Sequence, residues 1–221
     1  MTTYISPIGF NTTSVTRALL NHGIDSSDVV VLIRPEQGTD DNRGTEAIAD
    51  VERLLQEIES NVSVGVEQIP HDDFESAVIQ CSNIIQTAEG SVVVSLSGGA
   101  RDVLLPLTVA TISHERDIES TLGYSDLDGQ VREWPLPNVT ATVSDGARET
   151  LATIDTNGSE VSIPELTEQF RSAKSTITRH VNALENEGLV TAWMEHRTKF
   201  VSITLAGRLY LARTGRRGDC L

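Results

Sequence analysis

Two glycine-containing loops have the residue types and positions to bind a phosphate group. Gly9 follows one strand-like segment, and Gly98-Gly99, with Arg101 after them, follow another. Glycines let backbone N–H groups approach an anion closely, and a helix that starts after each loop adds positive potential. Arg101 can pair with a phosphate or stack on a base. Alternatively, Gly-Gly only makes a tight strand-to-helix turn; it lacks the G-x-G-x-x-G spacing, which disfavours an ordinary dinucleotide cofactor.

A second set of polar side chains follows the spacing of one helix face near the C-terminus. If Ile177 marks the buried direction, a rotation of about 100° per residue places Ser175, Arg179 and Asn182 on the opposite face. Side chains of this length can hydrogen-bond to base edges and phosphates. We therefore expect a DNA-contacting helix. A polar face that merely stays solvated, or a domain that contacts protein instead of DNA, is the alternative.

The elements that position the glycine loops alternate regularly between strands and helices. Four strand-like segments, each followed by helical periodicity, predict a doubly wound, mostly parallel sheet that binds ligands where the strand order reverses. Two later strands around Asp128-Gly129 predict a terminal β-hairpin. Thr45 is expected to cap the second helix. The strand-like segments are 4–6, 29–33, 62–69 and 91–96.

The elements around the polar side chains of the C-terminal helix face predict a smaller α+β domain, a winged helix-turn-helix. A first amphipathic helix, a short helix capped by Ser162, a turn at Arg171 and Ser172, and a longer helix follow one another. Strands at 189–193 and 200–204 flank a loop, 194–199, which is the predicted wing. A final helix, 205–212, either closes the core or forms a dimer contact. The expected DNA-contacting residues are Lys174, Ser175, Thr176, Arg179, Asn182, Arg197 and Lys199.

Charge and length support two different domains. The 221 residues carry a net charge of −15. Residues 1–145 hold 7 Arg and no Lys against 23 acidic residues, whereas residues 146–221 hold 10 basic and 9 acidic residues. One part repels nucleic acid and the other tolerates it. We predict a sensor domain over 1–137, a linker over 138–145 and a DNA-binding domain over 146–221.

Several classes of protein are disfavoured by the sequence. No basic flank with an apolar run and no long apolar stretch is present, which predicts a cytoplasmic protein with no membrane contact. Cys81 and Cys220 stand apart without metal-ligand spacing, so we expect neither a disulfide framework nor a metal site. Because the G-x-G-x-x-G spacing is missing, we also expect no cofactor. The acidic, lysine-poor composition indicates a halophilic source, or simply a solubilising acidic face.

The order of these motifs resembles a known family. A strand, Gly9-Phe10-Asn11, a helix, a later strand and Ser97-Gly98-Gly99-Ala100-Arg101, all ahead of a winged helix, resemble the archaeal CRISPR-associated Rossmann-fold (CARF) transcription regulators. The resemblance implies a homodimer that holds a cyclic oligoadenylate, typically the tetra-adenylate, as effector across its cleft. It implies that the cleft is lined by Gly9, Phe10, Asn11, Ser97, Gly98, Gly99 and Arg101.

The resemblance leaves two other functions open. Some sensor domains of this family slowly cleave the ring, and Ser97, Asn11 and Arg101 could assist the attack of the ligand's own 2′-hydroxyl. Alternatively, the sensor has diverged and responds to another nucleotide or to none. If the sensor is ligand-responsive, we expect the change to pass to double-stranded DNA contacts through residues 137–146.

Overall fold

The computed structural model describes residues 1–37, 41–158, 160–170 and 172–215. The chain divides into two compact units, Met1–Leu136 and Pro137–Leu221. The predicted contributions of Arg171 and Cys220 lie outside the described residues.

The first unit is built on a six-stranded sheet in the order β3-β2-β1-β4-β5-β6. The first five strands are parallel and β6 is antiparallel to β5, as the predicted terminal hairpin requires. Strand order reverses between β1 and β4, which are neighbours in the sheet. The strands are β1 (Thr2–Pro7), β2 (Val29–Pro35), β3 (Ser63–Ile69), β4 (Ser91–Ser95), β5 (Ser120–Tyr124) and β6 (Val131–Glu133).

Helices cover both faces of this sheet because its central strands are apolar on both sides. Tyr4 of β1 faces a core with the first two helices, whereas the adjacent Ile5 faces a core with the next two. Such burial on both faces is typical of parallel sheets. The helices are α1 (Thr13–His22), α2 (Asp41–Ile58), α3 (Phe74–Thr87) and α4 (Arg101–Ser113).

The Rossmann-like architecture with a mostly parallel sheet is therefore confirmed, but two local predictions differ. Helix α2 begins at Asp41, so Thr45 lies inside its second turn and is not a cap. Strands β5 and β6 are shorter than predicted and leave a loop of residues 125–130, in which Gly129 has φ +69°.

The second unit combines four helices with a small three-stranded sheet in the order β7-β9-β8. Apolar residues of its helices and strands share one core, including Leu151, Leu166, Ile177 and Val201, each at most 1% exposed. The elements are α5 (Asp145–Thr156), β7 (Val161–Ser162), α6 (Ile163–Phe170), α7 (Lys174–Asn186), β8 (Val190–Glu195), β9 (Thr198–Ile203) and α8 (Leu205–Gly215).

Capping residues explain where the helices of this unit begin. Ser144 accepts a hydrogen bond from the Ala147 N–H at the start of α5. Ser162 and Glu165 form a capping box, because the Ser162 hydroxyl accepts from the Glu165 N–H while the Glu165 carboxylate accepts from the Ser162 N–H. The hydrogen bonds that the Ser162 N–H and the Ser162 hydroxyl donate to the carboxylate lower the pKa of Glu165. The predicted cap at Ser162 is thus present, although Ser162 also belongs to strand β7.

Residues 138–145, expected to be a linker, pack onto the second unit. Ala141 is 1% exposed within its core. The Arg213 guanidinium donates hydrogen bonds to the carbonyls of Val139 and Ala141 at 2.8 and 3.3 Å. Asn138 donates its amide N–H to the Glu187 carbonyl. This segment is therefore an ordered part of the second unit.

Candidate functional sites

The two glycine loops meet directly at the point where strand order reverses. Strands β1 and β4 are parallel neighbours, so the loops leave the same edge of the sheet. A Cβ atom on Gly9 would lie 3.3 Å from both the Cα and the N of Gly99. This distance is shorter than ordinary contacts of a Cβ atom. The close approach of the two backbones therefore depends on the absence of a side chain at Gly9.

Gly98 and Gly99 are required for conformational as well as steric reasons. Their φ angles are +79° and +71°, in the left-handed region that favours glycine. A Cβ atom on Gly99 would lie 2.7 Å from Pro7 Cβ, and one on Gly98 would collide with the Ser14 hydroxyl. The second loop is thus a preformed turn whose N–H groups stand beside the start of α4.

Ser97 lies beneath this loop rather than on its surface. It is 6% exposed, and its hydroxyl accepts a 2.6 Å hydrogen bond from the Tyr124 N–H. The hydrogen bond ties the loop to the end of β5, so Ser97 holds the loop in place. The expectation that Ser97 lines an open cleft or assists ring cleavage gains no support from this placement.

The first loop presents one aromatic and one amide side chain. Asn11 is exposed, and its side-chain oxygen accepts a hydrogen bond from the Thr13 N–H at 2.9 Å, which fixes the start of α1. Phe10 is 49% exposed, and the Arg43 guanidinium lies 4.5 Å from the centre of its ring. A cation in this position is attracted by the electron-rich face of the ring.

Arg43 is a site residue that the sequence analysis missed. The sequence could have indicated Arg43, because α2 follows a parallel strand and so starts at the same sheet edge as α1 and α4. Placing the helix start at Thr45 put Arg43 in a loop, where no side-chain direction follows from the pattern.

Four arginines lie at this edge, within the first two turns of α1, α2 or α4 or near the end of β2. Arg17 donates to the Gly129 carbonyl at 3.0 Å and lies 6.0 Å from the Tyr124 ring, so it supports the β5–β6 loop. Arg101 is the exposed first residue of α4. The other two are Arg34 and Arg43. Together with the N-termini of α1, α2 and α4, these side chains concentrate positive potential in an otherwise acidic unit.

In the second unit, α7 has the predicted division into a buried and an exposed face. Ile177, Val181 and Leu184 are at most 1% exposed and belong to the core. Thr176 is half-buried beside them. The opposite face forms a shallow groove along the helix, lined by Lys174, Ser175, Thr178, Arg179 and Asn182.

The hairpin after α7 has a tighter turn than predicted. Glu195 pairs with Thr198, so the connection contains only His196 and Arg197 instead of the six residues 194–199. These two have φ angles of +45° and +69°. Non-glycine residues in the left-handed region are uncommon and cost conformational energy. The turn thereby presents the exposed side chain of Arg197 at the tip of the hairpin.

Lys199 lies in strand β9 and not in the turn. Its ammonium group donates to Asn182 Oδ1 at 3.0 Å and to Glu185 Oε2 at 2.9 Å. Lys199, which is expected to contact DNA, is therefore hydrogen-bonded to two side chains of the polar face of α7.

His180 anchors the inner edge of α7 to α5. Its Nδ1 lies 2.9 Å from the hydroxyl of Thr150, which itself donates to the Gly146 carbonyl. Because the hydroxyl proton of Thr150 is used in that bond, its oxygen accepts a hydrogen bond from His180 Nδ1–H. Burial, followed by the nearby charge of Arg179, lowers the pKa of His180.

The described ranges hold neither a candidate metal cluster nor a candidate membrane span. No group of three or more metal-ligating side chains occurs among these residues. No helix in this part of the chain is long and apolar enough to cross a membrane.

With this geometry established, the family of the first unit can be assigned. Residues 2–132 match the model of the Csa3 CRISPR-associated Rossmann-like domain. The chain belongs to this family. Family membership confirms the resemblance of the first unit to CRISPR-associated Rossmann-fold proteins. The match to the family model extends over more than half of the chain.

Solved structures with a similar arrangement share little sequence with this Csa3-family chain. Csm6 from Enterococcus italicus, bound to cyclic hexa-2′-fluoro-hexa-dAMP, is 12% identical, with a TM-score of 0.47 over 86% of this chain and 56% of its own. Can2 from Sulfobacillus thermosulfidooxidans, in complex with cyclic tetra-adenylate, is 10% identical, with a TM-score of 0.44 over 97% of this chain and 64% of its own. The chain thus spans about three fifths of these proteins.

HlyU from Vibrio cholerae aligns with 34% of this chain and 77% of its own, at 22% identity and a TM-score of 0.27. No curated protein matches the chain by sequence.

Proposed function

We propose that this Csa3-family protein is a dimeric, ligand-responsive transcription regulator that binds a cyclic oligoadenylate and double-stranded DNA. The observation that carries the proposal is the contact between Gly9 and Gly99 where strand order reverses. This close packing supports a role of the edge in anion binding, in a chain that belongs to a family of CRISPR-associated Rossmann-like domains. We take cyclic tetra-adenylate as the first ligand to test.

The edge offers a suitable group for each part of such a ligand. Backbone N–H groups of the glycine loops and the helix N-termini beside them attract phosphates. Arg101, on the first turn of α4, supplies a mobile charge for a phosphate. Phe10, with Arg43 on its ring, supplies a flat surface on which an adenine base can stack.

A two-fold dimer explains how one ring is held. A cyclic oligoadenylate with an even number of nucleotides has rotational symmetry, which an isologous dimer matches by presenting the same edge twice. The proposal therefore requires one ring for two chains. The acidity of the first unit favours ring binding in concentrated salt, because about 1 M salt screens charges beyond roughly 3 Å. This is also the condition expected of a halophilic source.

The second unit is proposed to be a winged helix-turn-helix that binds DNA. Helices α6 and α7 form the helix pair, α7 enters the major groove, and the β8–β9 hairpin is the wing. Support comes from the polar groove along α7 and from the strained turn that presents Arg197. The expected contacts are Lys174, Ser175, Thr176, Arg179, Asn182 and Arg197, with Lys199 acting through α7.

Communication between ligand and DNA is proposed to pass through residues 137–146. This segment packs on the second unit through Ala141 and the Arg213 hydrogen bonds. A movement of the sensor protomers would therefore be transmitted to the recognition helices by an ordered chain.

Calorimetric titration of the full-length protein with cyclic tetra-adenylate in about 1 M salt tests the ligand. Linear tetra-adenylate and cyclic dinucleotides serve as ligand controls. We expect saturation at one ring per two chains and roughly tenfold or greater weakening in Arg101→Ala, because a charge-assisted contact to phosphate is lost. Arg53→Ala is the matched control, since Arg53 lies on α2 and pairs with Asp50.

Absence of binding to any ring by the folded protein would contradict the ligand assignment and favour a diverged sensor. Appearance of linear products over hours would show ring cleavage in addition to sensing.

A further inference from the structure

The orientation of the Asn182 side chain is determined by its neighbour. Lys199 Nζ lies 3.0 Å from the Asn182 side-chain oxygen. An ammonium group can donate hydrogen bonds but cannot accept them. The atom that faces Lys199 must therefore be the Asn182 carbonyl oxygen, which leaves the NH₂ group available on the exposed face of α7.

Glu185 holds Lys199 in this position. Its carboxylate lies 2.9 Å from Lys199 Nζ, and the two side chains are 39% and 27% exposed. Asn182 and Glu185 are three residues apart on α7, so they lie on one side of the helix. Lys199 connects both of them to β9 and neutralises a carboxylate on the helix face that is proposed to approach DNA.

This arrangement limits what Asn182 can read in the major groove. An asparagine that recognises adenine uses both ends of its amide, with its oxygen accepting from adenine N6 and its nitrogen donating to N7. Lys199 takes one of the two lone pairs of this oxygen and crowds the other with its ammonium group, so the amide approaches a base mainly through its NH₂ donors. Guanine presents two adjacent acceptors, O6 and N7, to such a side chain.

We propose that Lys199, held by Glu185, makes Asn182 a donor-only reader that selects guanine over adenine. This inference rests on the proposed DNA binding and adds its base specificity. Lys199 is a positioning residue, and Asn182 makes the base contact.

The experiment is selection of binding sites from a duplex DNA library with a randomised core, using the full-length protein. Wild type is compared with Lys199→Met, which keeps the aliphatic length but removes the donors. We expect wild type to enrich guanine at one position of each half-site. In Lys199→Met, the guanine-over-adenine preference at that position should fall at least about fivefold, the low end of a bidentate contact, while other positions keep theirs.

Two variants separate base specificity from general weakening. Lys199→Arg retains donors and should keep the guanine preference. Adding Glu185→Gln to Lys199→Met removes the unpaired carboxylate, and should recover overall affinity without recovering the preference. Arg208→Met, on α8 near Asp155 and not on α7, is the matched charge-removal control. Thermal melting of each variant shows that it is folded.

The outcomes distinguish this inference from the proposed function. If folded wild type enriches no sequence, DNA binding and its specificity are both overturned. If wild type enriches a sequence and the folded Lys199→Met variant enriches the same bases at every position, DNA binding stands and the role of Lys199 is overturned.

Discussion

The glycine loops of the first unit and the α7 face of the second unit, the two proposed recognition sites, are built in opposite ways. At the loops, glycine backbones pack so closely that a Cβ atom at Gly9 or Gly99 would crowd its neighbours. On α7 and the hairpin, the backbone is regular except at one turn, and side chains supply the chemistry. The packing of the first site depends on the absence of side chains at Gly9 and Gly99, whereas the second site depends on the identity of its side chains.

The largest effect that tests this contrast is expected for Gly99→Ala. The new Cβ would lie 2.7 Å from Pro7 Cβ in a residue with φ +71°. We expect the free energy of unfolding of the first unit to fall by about 1–3 kcal/mol. Ligand binding should weaken with it. Denaturant unfolding followed by circular dichroism measures the change.

Gly65→Ala is the control for Gly99→Ala. Gly65 lies in β3, and a Cβ atom there would have no neighbour within 4 Å among the described residues. This variant should be neutral or slightly stabilising. Equal destabilisation by both substitutions would show that the close packing at the loops has no special role.

A smaller effect, with opposite signs for stability and binding, is expected at the hairpin turn. Replacing His196-Arg197 with Asn-Gly supplies residues suited to two successive positive φ angles. The second unit should gain about 1 kcal/mol of stability, because the strain of two non-glycine residues at positive φ is relieved. Removal of Arg197 should reduce the slope of log affinity for DNA against log salt by about one.

The measurements for this turn are thermal unfolding and DNA titration at several salt concentrations. His196→Asn alone, which retains Arg197, is the matched variant and should keep the salt slope. An unchanged slope in the Asn-Gly variant would show that Arg197 does not contact a phosphate.

The smallest expected effect is a pH dependence that arises from His180. Its pKa is lowered in the folded protein, below the ordinary value of 6.5, mainly by burial. The unfolded chain therefore binds the proton more readily, and stability present above about pH 6.5 is lost as the pH falls through the folded-state pKa. His180→Gln should show a weaker loss of stability between pH 7.5 and 5.

Thermal melting across this pH range compares His180→Gln with His71→Gln, a change at an exposed histidine in the first unit. Identical pH profiles for wild type and His180→Gln would contradict the role of His180 at the α5–α7 contact.

Much of the fold was predictable because its determinants are local. The apolar runs of β1, β2 and β4 identify strands buried on both faces, and the glycines after β1 and β4 identify the edge that is proposed to bind the ligand. The 3.6-residue period also predicted which face of α7 is buried. These features depend on residues that are close in sequence, so a single sequence is sufficient to predict them.

The features that were missed depend on contacts between distant residues. Lys199 meets Glu185 across 14 positions, and Ser97 meets Tyr124 across 27. Strand β7 has two residues and no periodicity to detect. The His196-Arg197 turn contains neither asparagine nor glycine, so the usual sequence signal for two positive φ angles is missing. The halophilic source and the dimer stay predictions.

Ligand-dependent DNA affinity is the most direct test of the central proposal. The full-length protein would be titrated with the DNA sequence selected from the random library, with and without saturating cyclic tetra-adenylate, in parallel with Arg101→Ala. We predict that the ring changes the DNA affinity of wild type by about 5- to 150-fold, the usual range of coupling between sites, and that Arg101→Ala needs at least about tenfold more ring for the same change. Equal DNA affinity of wild type with and without bound ring would contradict a ligand-responsive regulator.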